Sequence, residues 1–315
     1  MTIAMLDAAT LNDDLDFSLF DELGTVKRYA LTAAEDVAAR AAGCDVLILN
    51  KVKINAETLP QPSTVKLICV TATGVDNIDV EYCRAHNIAV CNVSGYSTDS
   101  VAQLTVAMVL SLANHLPAFT RFVSDGSYTK SGKPNHLVPP FCELRGKTWG
   151  ILGYGNIGAQ VAAVAEAFGC RVLVCKRTPL PNRDITDIDT LCAESDILTI
   201  HVPLTEETRG IINRERLAKM KPNAILVNVA RGAVTDEAAV AEAVLAGRLG
   251  GFGVDVYSTE PMPERHPFAA LYGRDDVCMT PHMAWGAYEA RVRCLQEVAE
   301  NIRAFYRGER RCRVD

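Results

Sequence analysis

A glycine-rich run near the middle of the 315-residue chain constrains the fold more than any other feature. Residues 153–158 read Gly-Tyr-Gly-Asn-Ile-Gly, a G-x-G-x-x-G pattern. An apolar stretch at 147–152 predicts a strand before it, and 159–168 predict a helix after it. In that setting the glycines turn the strand sharply, let the backbone approach a pyrophosphate and let the helix pack on the strand. A second strand predicted at Arg171–Cys175 completes the unit and indicates a dinucleotide site.

The composition excludes several classes of partner. The net charge of −6 disfavours nucleic acids and anionic membranes, which attract basic surfaces. The eleven cysteines include no C-x-x-C pair, and no basic, apolar leader opens the chain, so we expect reduced, mostly buried cysteines and a cytoplasmic location. The longest apolar stretch, Val101–Ala113, contains Gln103 and is too short to cross a bilayer, which predicts a buried helix.

Short apolar runs alternate with helical patterns along both halves of the chain. This alternation predicts an α/β fold with two doubly wound parallel sheets. Helices are expected at Ser97–His115 and Gly286–Arg307, whereas the proline- and glycine-containing segment Pro117–Leu144 is expected to be irregular. The predicted strands are Thr2–Leu6, Thr25–Ala30, Val46–Asn50, Val65–Val70 and Ile88–Asn92 in the first half, and Arg171–Cys175, Ile197–Thr199, Ala224–Asn228, Gly251–Val256 and Val277–Thr280 in the second.

The mid-chain position of the dinucleotide unit predicts a second domain built from both ends of the chain. We place that domain at residues 1–98 plus 286–315, and the dinucleotide-binding domain at residues 99–285. A cleft between two such domains is where a small substrate is commonly enclosed. The segment Pro117–Leu144 is too long for an ordinary loop, so we expect it to pack against a partner subunit in a homodimer.

Three polar residues follow predicted strands of the dinucleotide domain, where open parallel sheets bind their ligands. They are Arg231, Glu260 and His282. Nicotinamide chemistry requires a cation that holds a substrate carboxylate, an acid/base group near neutrality and a carboxylate that supports it. Taken singly, Arg231 could cap a helix or pair with a nearby aspartate, Glu260 could occupy a surface turn and His282 could be an ordinary loop histidine. Behind a dinucleotide loop, the three together favour a catalytic group.

The remaining histidines show no paired arrangement, so no metal site is predicted. His201 follows a predicted strand and, together with Pro203, is expected to line the cofactor groove. The others are His86, His115, His136 and His266.

Four sequence blocks resemble the D-isomer-specific 2-hydroxyacid dehydrogenases, and the resemblance covers essentially the whole chain. The blocks are 150–158, 201–205, 220–237 and 280–285, of which the third, M-K-P-N-A-I-L-V-N-V-A-R-G-A-V-T-D-E, is the most specific. The resemblance implies a Rossmann-type cofactor domain inserted in a flavodoxin-like substrate domain. It also implies hydride transfer from a nicotinamide dinucleotide to a small 2-keto acid, with a D-2-hydroxy acid as the product.

The resemblance also implies roles for individual residues. Arg231 is implied to bind substrate, Glu260 to support the histidine and His282 to donate the proton. The substrate carboxylate is implied to be held by backbone N–H groups of three consecutive residues, Thr73, Gly74 and Val75. Asp255 is implied to contact the nicotinamide carboxamide. The residues that we expect to contact the cofactor are Gly153, Gly155, Asn156, Ile157, Gly158, Lys176, Arg177, His201, Pro203, Ala230, Asp255, His282 and Ala284.

Less specific sequence similarities indicate a branch of the family. The stretches 92–103 and 282–285 resemble the glycerate dehydrogenase (hydroxypyruvate reductase) branch, so hydroxypyruvate or glyoxylate is the favoured substrate. D-lactate dehydrogenase or another D-2-hydroxyacid dehydrogenase is the nearest alternative. A dinucleotide-sensing, corepressor-like binding protein is the alternative from a different class, and such proteins usually carry flexible tails that we do not expect here.

The sequence just after the second strand of the dinucleotide unit indicates the cofactor preference. NAD-specific proteins place an acidic residue there to bind the ribose hydroxyls. This chain has Lys176 and Arg177 instead, and two cations pair well with the 2′-phosphate of NADP. We therefore expect NADP(H) to be favoured over NAD(H), with an ordinary basic strand end as the alternative interpretation.

Overall fold

The computed structural model describes residues 1–181 and 183–315. The chain divides into two compact units, one formed by Met1–Ser97 with Gly286–Asp315 and one formed by Thr98–Trp285. Each unit contains one parallel sheet, which confirms the predicted fold class. The central strands are continuous buried runs rich in Val, Ile and Leu, the pattern of sheets covered by helices on both faces.

The first unit has the strand order of flavodoxin-like folds. Its strands are β1 (Thr2–Met5), β2 (Thr25–Arg28), β3 (Val46–Leu49), β4 (Leu67–Val70) and β5 (Ala89–Cys91), and its first helices are α1 (Ser18–Asp21), α2 (Val37–Ala41) and α3 (Val80–Ala85). All neighbours pair in parallel in the order β2-β1-β3-β4-β5.

The second unit has a six-stranded sheet with one reversal of strand order. Its helices are α4 (Thr98–Ala113), α5 (Leu116–Ser124), α6 (Ser127–Ser131), α7 (Asn156–Ala167), α8 (Ile188–Glu194), α9 (Arg214–Lys219) and α10 (Glu237–Leu245). Its strands are β6 (Thr148–Leu152), β7 (Arg171–Cys175), β8 (Ile197–Ile200), β9 (Ile225–Asn228), β10 (Gly251–Val254) and β11 (Val277–Met279). The order β11-β10-β9-β8-β6-β7 reverses between β6 and β8, so a ligand crevice is expected beyond the carboxyl ends of these two strands.

The last helix, α11 (Tyr288–Tyr306), belongs to the first unit and packs against β4. Its attachment is specific. The guanidinium of Arg291, which is buried, donates to the carbonyl of Leu11 at 2.7 Å and forms an ion pair with Asp14. The chain after α11 returns to the edge strand, where the N–H of Val314 donates to the Val90 carbonyl at 3.0 Å.

Two predictions of local structure differ from the structure. The segment Pro117–Leu144 contains α5 and α6, because Pro117 lies in the first turn of α5, where a missing N–H costs nothing. The helix after the glycine loop begins at Asn156 rather than at Ala159, because Gly155 is its N-cap and the rest of the motif forms its first turn.

The apolar helix predicted at Val101–Ala113 is α4, and Met108, Val109 and Leu112 lie in the core of the second unit. In residues 1–181 and 183–315, no single helix is long and apolar enough to cross a membrane, although α4 and α5 meet that test together as a bent pair. All cysteines are unpaired, and most are buried, as predicted, with Cys142 and Cys312 exposed.

Candidate active site

The glycines of the loop after β6 meet different steric demands. Gly153 has φ +94°, and a Cβ there would lie 2.7 Å from the carbonyl oxygen of His201. A Cβ on Gly158 would lie 2.1 Å from the Gly153 carbonyl oxygen, so the packing of the protein itself requires both glycines. Gly155 differs, since no heavy atom of the described residues other than those of its chain neighbours lies within 4 Å of its Cβ position. This open side, at the N-terminus of α7, fits a pyrophosphate bound by the N–H groups of the first helical turn.

His201 follows β8 and lies beside the glycine loop. Its Nε2 lies 3.0 Å from the hydroxyl of Thr199, which also accepts the indole N–H of Trp149 at 3.2 Å. Burial lowers the pKa of His201 to about 3, so the ring is neutral. Its Nδ1 is buried without a hydrogen-bond partner among the residues that the structure describes. Such a group is costly, and a bound cofactor would satisfy it.

The turn that carries Arg231 follows β9 and is shaped by the buried side chain of Asn228. That amide accepts the N–H of Ala230 and donates to the carbonyl of Arg231, both at 3.0 Å. Gly232 lets the turn lie against the next loop, because a Cβ there would be 2.0 Å from the carbonyl carbon of Tyr257. The Arg231 guanidinium donates to the Ala230 carbonyl at 2.8 Å. A half-buried guanidinium at a strand end suits bidentate recognition of a carboxylate.

Asp255 follows β10 and is fully buried. Its Oδ1 accepts the hydroxyl of Thr280 at 2.6 Å and the N–H of Met283 at 2.8 Å, and its Oδ2 accepts the N–H of Ala284 at 2.9 Å. Burial raises the pKa of Asp255, and the three hydrogen bonds oppose that rise. The carboxyl group therefore holds the side chain of Thr280 before His282 and the backbone of Met283 and Ala284 after it.

His282 and Glu260 form a hydrogen-bonded pair. The His282 Nδ1 lies 2.6 Å from one carboxylate oxygen of Glu260, and the other oxygen accepts the N–H of Tyr257 at 3.0 Å. Because the carboxylate accepts, Nδ1 donates, and Nε2 is the nitrogen that can exchange a proton with a ligand. The two side chains are 22% and 30% exposed, so a ligand can reach the pair.

The conformation of His282 is unusual. Its φ of +52° is in the left-handed region, which residues other than glycine seldom adopt. The surrounding loop holds it there, since the indole N–H of Trp285 donates to the His282 carbonyl at 3.0 Å and the hydroxyl of Tyr257 donates to the Thr280 carbonyl at 2.9 Å. Strained positions that their surroundings maintain are common at functional sites.

Lys176 and Arg177 follow β7, as predicted, and Arg177 lies on the surface. Its guanidinium is 3.0 Å from a carboxylate oxygen of Glu207, with the two side chains 86% and 73% exposed. An exposed pair of this kind contributes little free energy, so an incoming phosphate can displace the carboxylate. Pro203 lies in the same loop as Glu207, and its carbonyl accepts the hydroxyl of Thr208 at 2.7 Å.

The turn formed by Thr73, Gly74 and Val75 follows β4 in the first unit. The hydroxyl of Thr73 donates to the Val93 carbonyl at 2.9 Å, and the side-chain amide of Asn92 donates to the Thr73 carbonyl at 2.7 Å. These bonds tie the turn to the chain that follows β5. Its backbone is therefore ordered at the carboxyl end of the first sheet.

Within the second unit, the predicted residues lie beyond the carboxyl ends of all six strands of the sheet. Sequence reasoning missed the groups that organise this edge. Asn228 could have been recognised from the sequence. It stands at a strand end before a glycine turn, where an asparagine side chain commonly bonds to the backbone two or three residues further along the chain. Thr280 could not have been recognised in this way, because its hydrogen bond to Asp255 depends on β10 and β11 being neighbours in the sheet.

A dinucleotide loop at the switch point, with a histidine–carboxylate pair at the same sheet edge, is the arrangement of a nicotinamide-dependent oxidoreductase. A comparison with known families goes further. Residues 106–284, more than half of the chain, match the family model described as the NAD binding domain of D-isomer specific 2-hydroxyacid dehydrogenases. The chain belongs to this family, as its sequence motifs predicted.

Relatives and solved structures agree with this assignment over nearly the whole chain. The chain is 35% identical over 284 residues to a glycerate dehydrogenase of Methylorubrum extorquens, covering 90% of both chains. It is 33% identical to a hydroxypyruvate reductase of Blautia hydrogenotrophica, covering 98% of both. Its fold is similar to an acyclic imino acid reductase in complex with NADPH and D-Arg, with a TM-score of 0.86, 27% identity and full coverage of both chains.

Proposed function

We propose that this protein is an NAD(P)-dependent reductase that converts a small 2-keto acid, with hydroxypyruvate or glyoxylate favoured, to the D-2-hydroxy acid. The observation that carries the proposal is the 2.6 Å contact between His282 and Glu260, at the same sheet edge as the dinucleotide loop. The names of the relatives, glycerate dehydrogenase and hydroxypyruvate reductase, support this class of substrate.

In the proposed reaction, the protein orients the keto acid and moves one proton. Arg231 binds the substrate carboxylate and keto oxygen, assisted by backbone N–H groups of the turn at Gly74. A bound nicotinamide dinucleotide would supply the hydride to C2 of the substrate. His282 gives the proton on Nε2 to the oxygen at C2 as negative charge develops there, and Glu260 stabilises the charged ring through Nδ1.

The cofactor is proposed to lie along the carboxyl ends of the second sheet. The open side of Gly155 and the first turn of α7, with Asn156 and Ile157, would receive the pyrophosphate. The backbone of His201 lies beside the same loop, and its Nδ1, which has no hydrogen-bond partner among the described residues, would gain one from the cofactor. Asp255 is proposed to accept the nicotinamide carboxamide in addition to its observed bonds. Pro203, Ala230 and Ala284 would line the groove.

NADP(H) is the favoured cofactor, with NAD(H) as the alternative. Arg177→Ala should raise the Kd of NADPH on the order of tenfold, the cost of one charge-assisted hydrogen bond, and leave that of NADH unchanged. Arg209→Ala is a matched control, because Arg209 is another exposed arginine, 3.7 Å from Glu206. Equal affinity of the wild type for the two cofactors, unaltered in the variant, would rule out the preference.

Purified protein assayed at 340 nm with NADPH or NADH and a panel of 2-keto acids tests the function directly. We expect oxidation with hydroxypyruvate or glyoxylate. Turnover with pyruvate alone would support a D-lactate dehydrogenase instead. Cofactor binding without oxidation by any small 2-keto acid would support the corepressor-like binding role.

The proposed oligomer is a homodimer formed through the segment from α5 to residue 141. Leu116, Val123, Leu137, Val138 and Phe141 are large apolar side chains that are at least about half exposed in this single chain. Soluble monomers rarely expose so many together. Light scattering should give twice the chain mass of 34.1 kDa for the wild type and the chain mass for a Leu137→Glu, Val138→Glu variant. A monomeric wild type would contradict the proposal.

A cytoplasmic location is proposed on the basis of the cysteines. Eleven unpaired thiols, most of them buried, are typical of proteins that remain in a reducing compartment. Fractionation followed by immunoblotting would test it, and recovery outside the cytoplasm would contradict it.

A further inference from the structure

The loop that carries Glu260 is attached to the body of the second unit at both of its ends. We call residues 257–266 the Glu260 loop. Near its start, Ser258 donates its N–H to one carboxylate oxygen of Glu237 at 2.8 Å and its hydroxyl to the other. At its end, the His266 Nε2 lies 2.9 Å from that second oxygen. One carboxylate, at the first position of α10, therefore holds both ends of the loop.

The half of the attachment formed by Glu237 and His266 is buried, whereas Ser258 is exposed. The side chains of Glu237 and His266 are 10% and 4% exposed. The His266 Nδ1 accepts the N–H of Phe268 at 3.2 Å, so the ring proton lies on Nε2 and is donated to Glu237. The His266 ring also packs against Phe268, with ring centroids 4.9 Å apart. A carboxylate in such surroundings is maintained only while its donors are in place.

The attachment leads directly to the histidine–glutamate pair. The N–H of Tyr257, next to the anchored Ser258, donates to one oxygen of Glu260, whose other oxygen contacts His282. The backbone at Tyr257 also lies against Gly232, beside Arg231. Movement of this loop by one ångström would lengthen the 2.6 Å contact between His282 and Glu260 beyond a strong hydrogen bond.

We propose that Glu237 is a positioning residue for the proposed reaction: by holding Ser258 and His266, it places Glu260 where that carboxylate can support His282. This inference rests on the proposed function only for its effect on turnover. The anchoring of the loop is a property of the protein alone and can be measured without substrate.

The first test is a double-mutant cycle on turnover. Glu237→Gln should lower kcat by about 10- to 100-fold, the range for slight misplacement of reacting groups, with the cofactor Kd unchanged. In a Glu260→Gln background the same substitution should have almost no further effect, because Glu237 acts through Glu260. Equal losses in both backgrounds, or no loss in the wild-type background, would overturn the proposal. Glu242→Gln is the control, since this exposed carboxylate lies on the same helix and pairs with Arg214 at 2.9 Å, away from the loop.

The second test is hydrogen–deuterium exchange of the peptide that contains the Glu260 loop. Exchange should accelerate in Glu237→Gln and not in Glu242→Gln, while peptides of β8 and β9 stay protected. Ser258→Ala is a milder variant that removes only one hydroxyl donor, so it can be used if Glu237→Gln does not fold, and it should accelerate exchange to a smaller degree. Unchanged exchange in a folded Glu237→Gln protein would refute the anchor, whatever the enzyme does.

The two experiments separate the inference from the proposed function. If the wild type reduces no 2-keto acid, the proposed function fails, and hydrogen exchange alone then decides whether Glu237 anchors the loop. If the enzyme is active and Glu260→Gln turns over normally, the assigned role of Glu260 fails, and with it the positioning role of Glu237.

Discussion

Two buried aspartates, one in each unit, perform similar structural tasks with different consequences. Asp7 follows β1, and its carboxylate accepts the N–H groups of Asn50, Lys51 and Val52 at 2.8, 2.6 and 3.2 Å. Asp255 follows β10 and binds the loop after β11 in the same way. Each carboxyl group joins the end of its own strand to the loop that follows the adjacent strand.

The difference lies in what the ordered loop contains. The loop held by Asp255 carries His282, which a second carboxylate, that of Glu260, contacts from a neighbouring loop. The loop held by Asp7 contains no histidine. A buried carboxylate thus orders a strand-end loop in either unit, and a histidine–carboxylate pair forms only where the loop brings a histidine to a second carboxylate. Substitutions of His282 and of the two aspartates test this contrast, and a substitution of His201 tests a second histidine of the same sheet edge.

The largest expected effect comes from removing the histidine. His282→Ala should lower kcat by about 10² to 10⁴-fold, the usual contribution of general acid catalysis. The affinity for the cofactor should stay within a few-fold of the wild-type value, because the substitution leaves the glycine loop unchanged. Stopped-flow or steady-state assays with the best keto acid, together with a fluorescence titration of NADPH, measure both. Near-normal turnover would remove His282 from the mechanism.

Substitution of either aspartate should lower the stability of the protein by a similar amount, but the two substitutions should affect activity unequally. Asp255→Asn and Asp7→Asn each turn an amide N–H toward a backbone N–H, so each should cost about 1–3 kcal/mol of unfolding free energy in urea. Asp255→Asn should also lower kcat by about 10-fold or more, because the His282 loop loses its alignment. Asp7→Asn should lower it far less. Equal losses of kcat would contradict the contrast between the two units.

The low pKa of His201 should make stability depend on pH. The pKa of His201 is lowered to about 3, so between that value and about 6.5 the unfolded chain binds a proton that the folded protein does not. Stability therefore falls as the pH decreases through this window. In His201→Gln, urea unfolding between pH 6.5 and 4 should show a smaller loss than in the wild type. An identical pH dependence in the two proteins would mean that His201 is accessible to protons when folded.

The smallest expected effect is the pH dependence that the two aspartates contribute. Burial raises the pKa of Asp7 and of Asp255 above the ordinary 3.8. A raised acid pKa means that the folded protein holds the proton more tightly. The contribution to stability is therefore greatest below pH 3.8 and decreases as the pH rises through the folded pKa. The unfolding free energy of the wild type relative to that of either Asn variant should therefore decrease as the pH rises through the folded pKa. An increase with pH would show that hydrogen bonding to the carboxylate outweighs burial.

Much of the fold could be predicted because its signals are local. The alternation of strands and helices, the glycine loop and the buried α4 all follow from spacing and composition within short windows. The segment after Pro117 was predicted wrongly because a proline at the start of a helix resembles one that breaks it. The candidate residues Arg231, Glu260 and His282 could be chosen from strand ends and family motifs, whereas their distances could not.

The sequence by itself determined the α/β fold class, the glycine loop and the family. It did so because glycine spacing, strand periodicity and specific motifs are properties of neighbouring residues. Only the tertiary structure decided that Asp255 bonds to the His282 loop, that Glu237 bonds to both ends of the Glu260 loop and that the Nδ1 of His201 is buried without a partner among the described residues. Those relations join residues that are far apart in the chain, and the order of strands in the sheet is what brings them together.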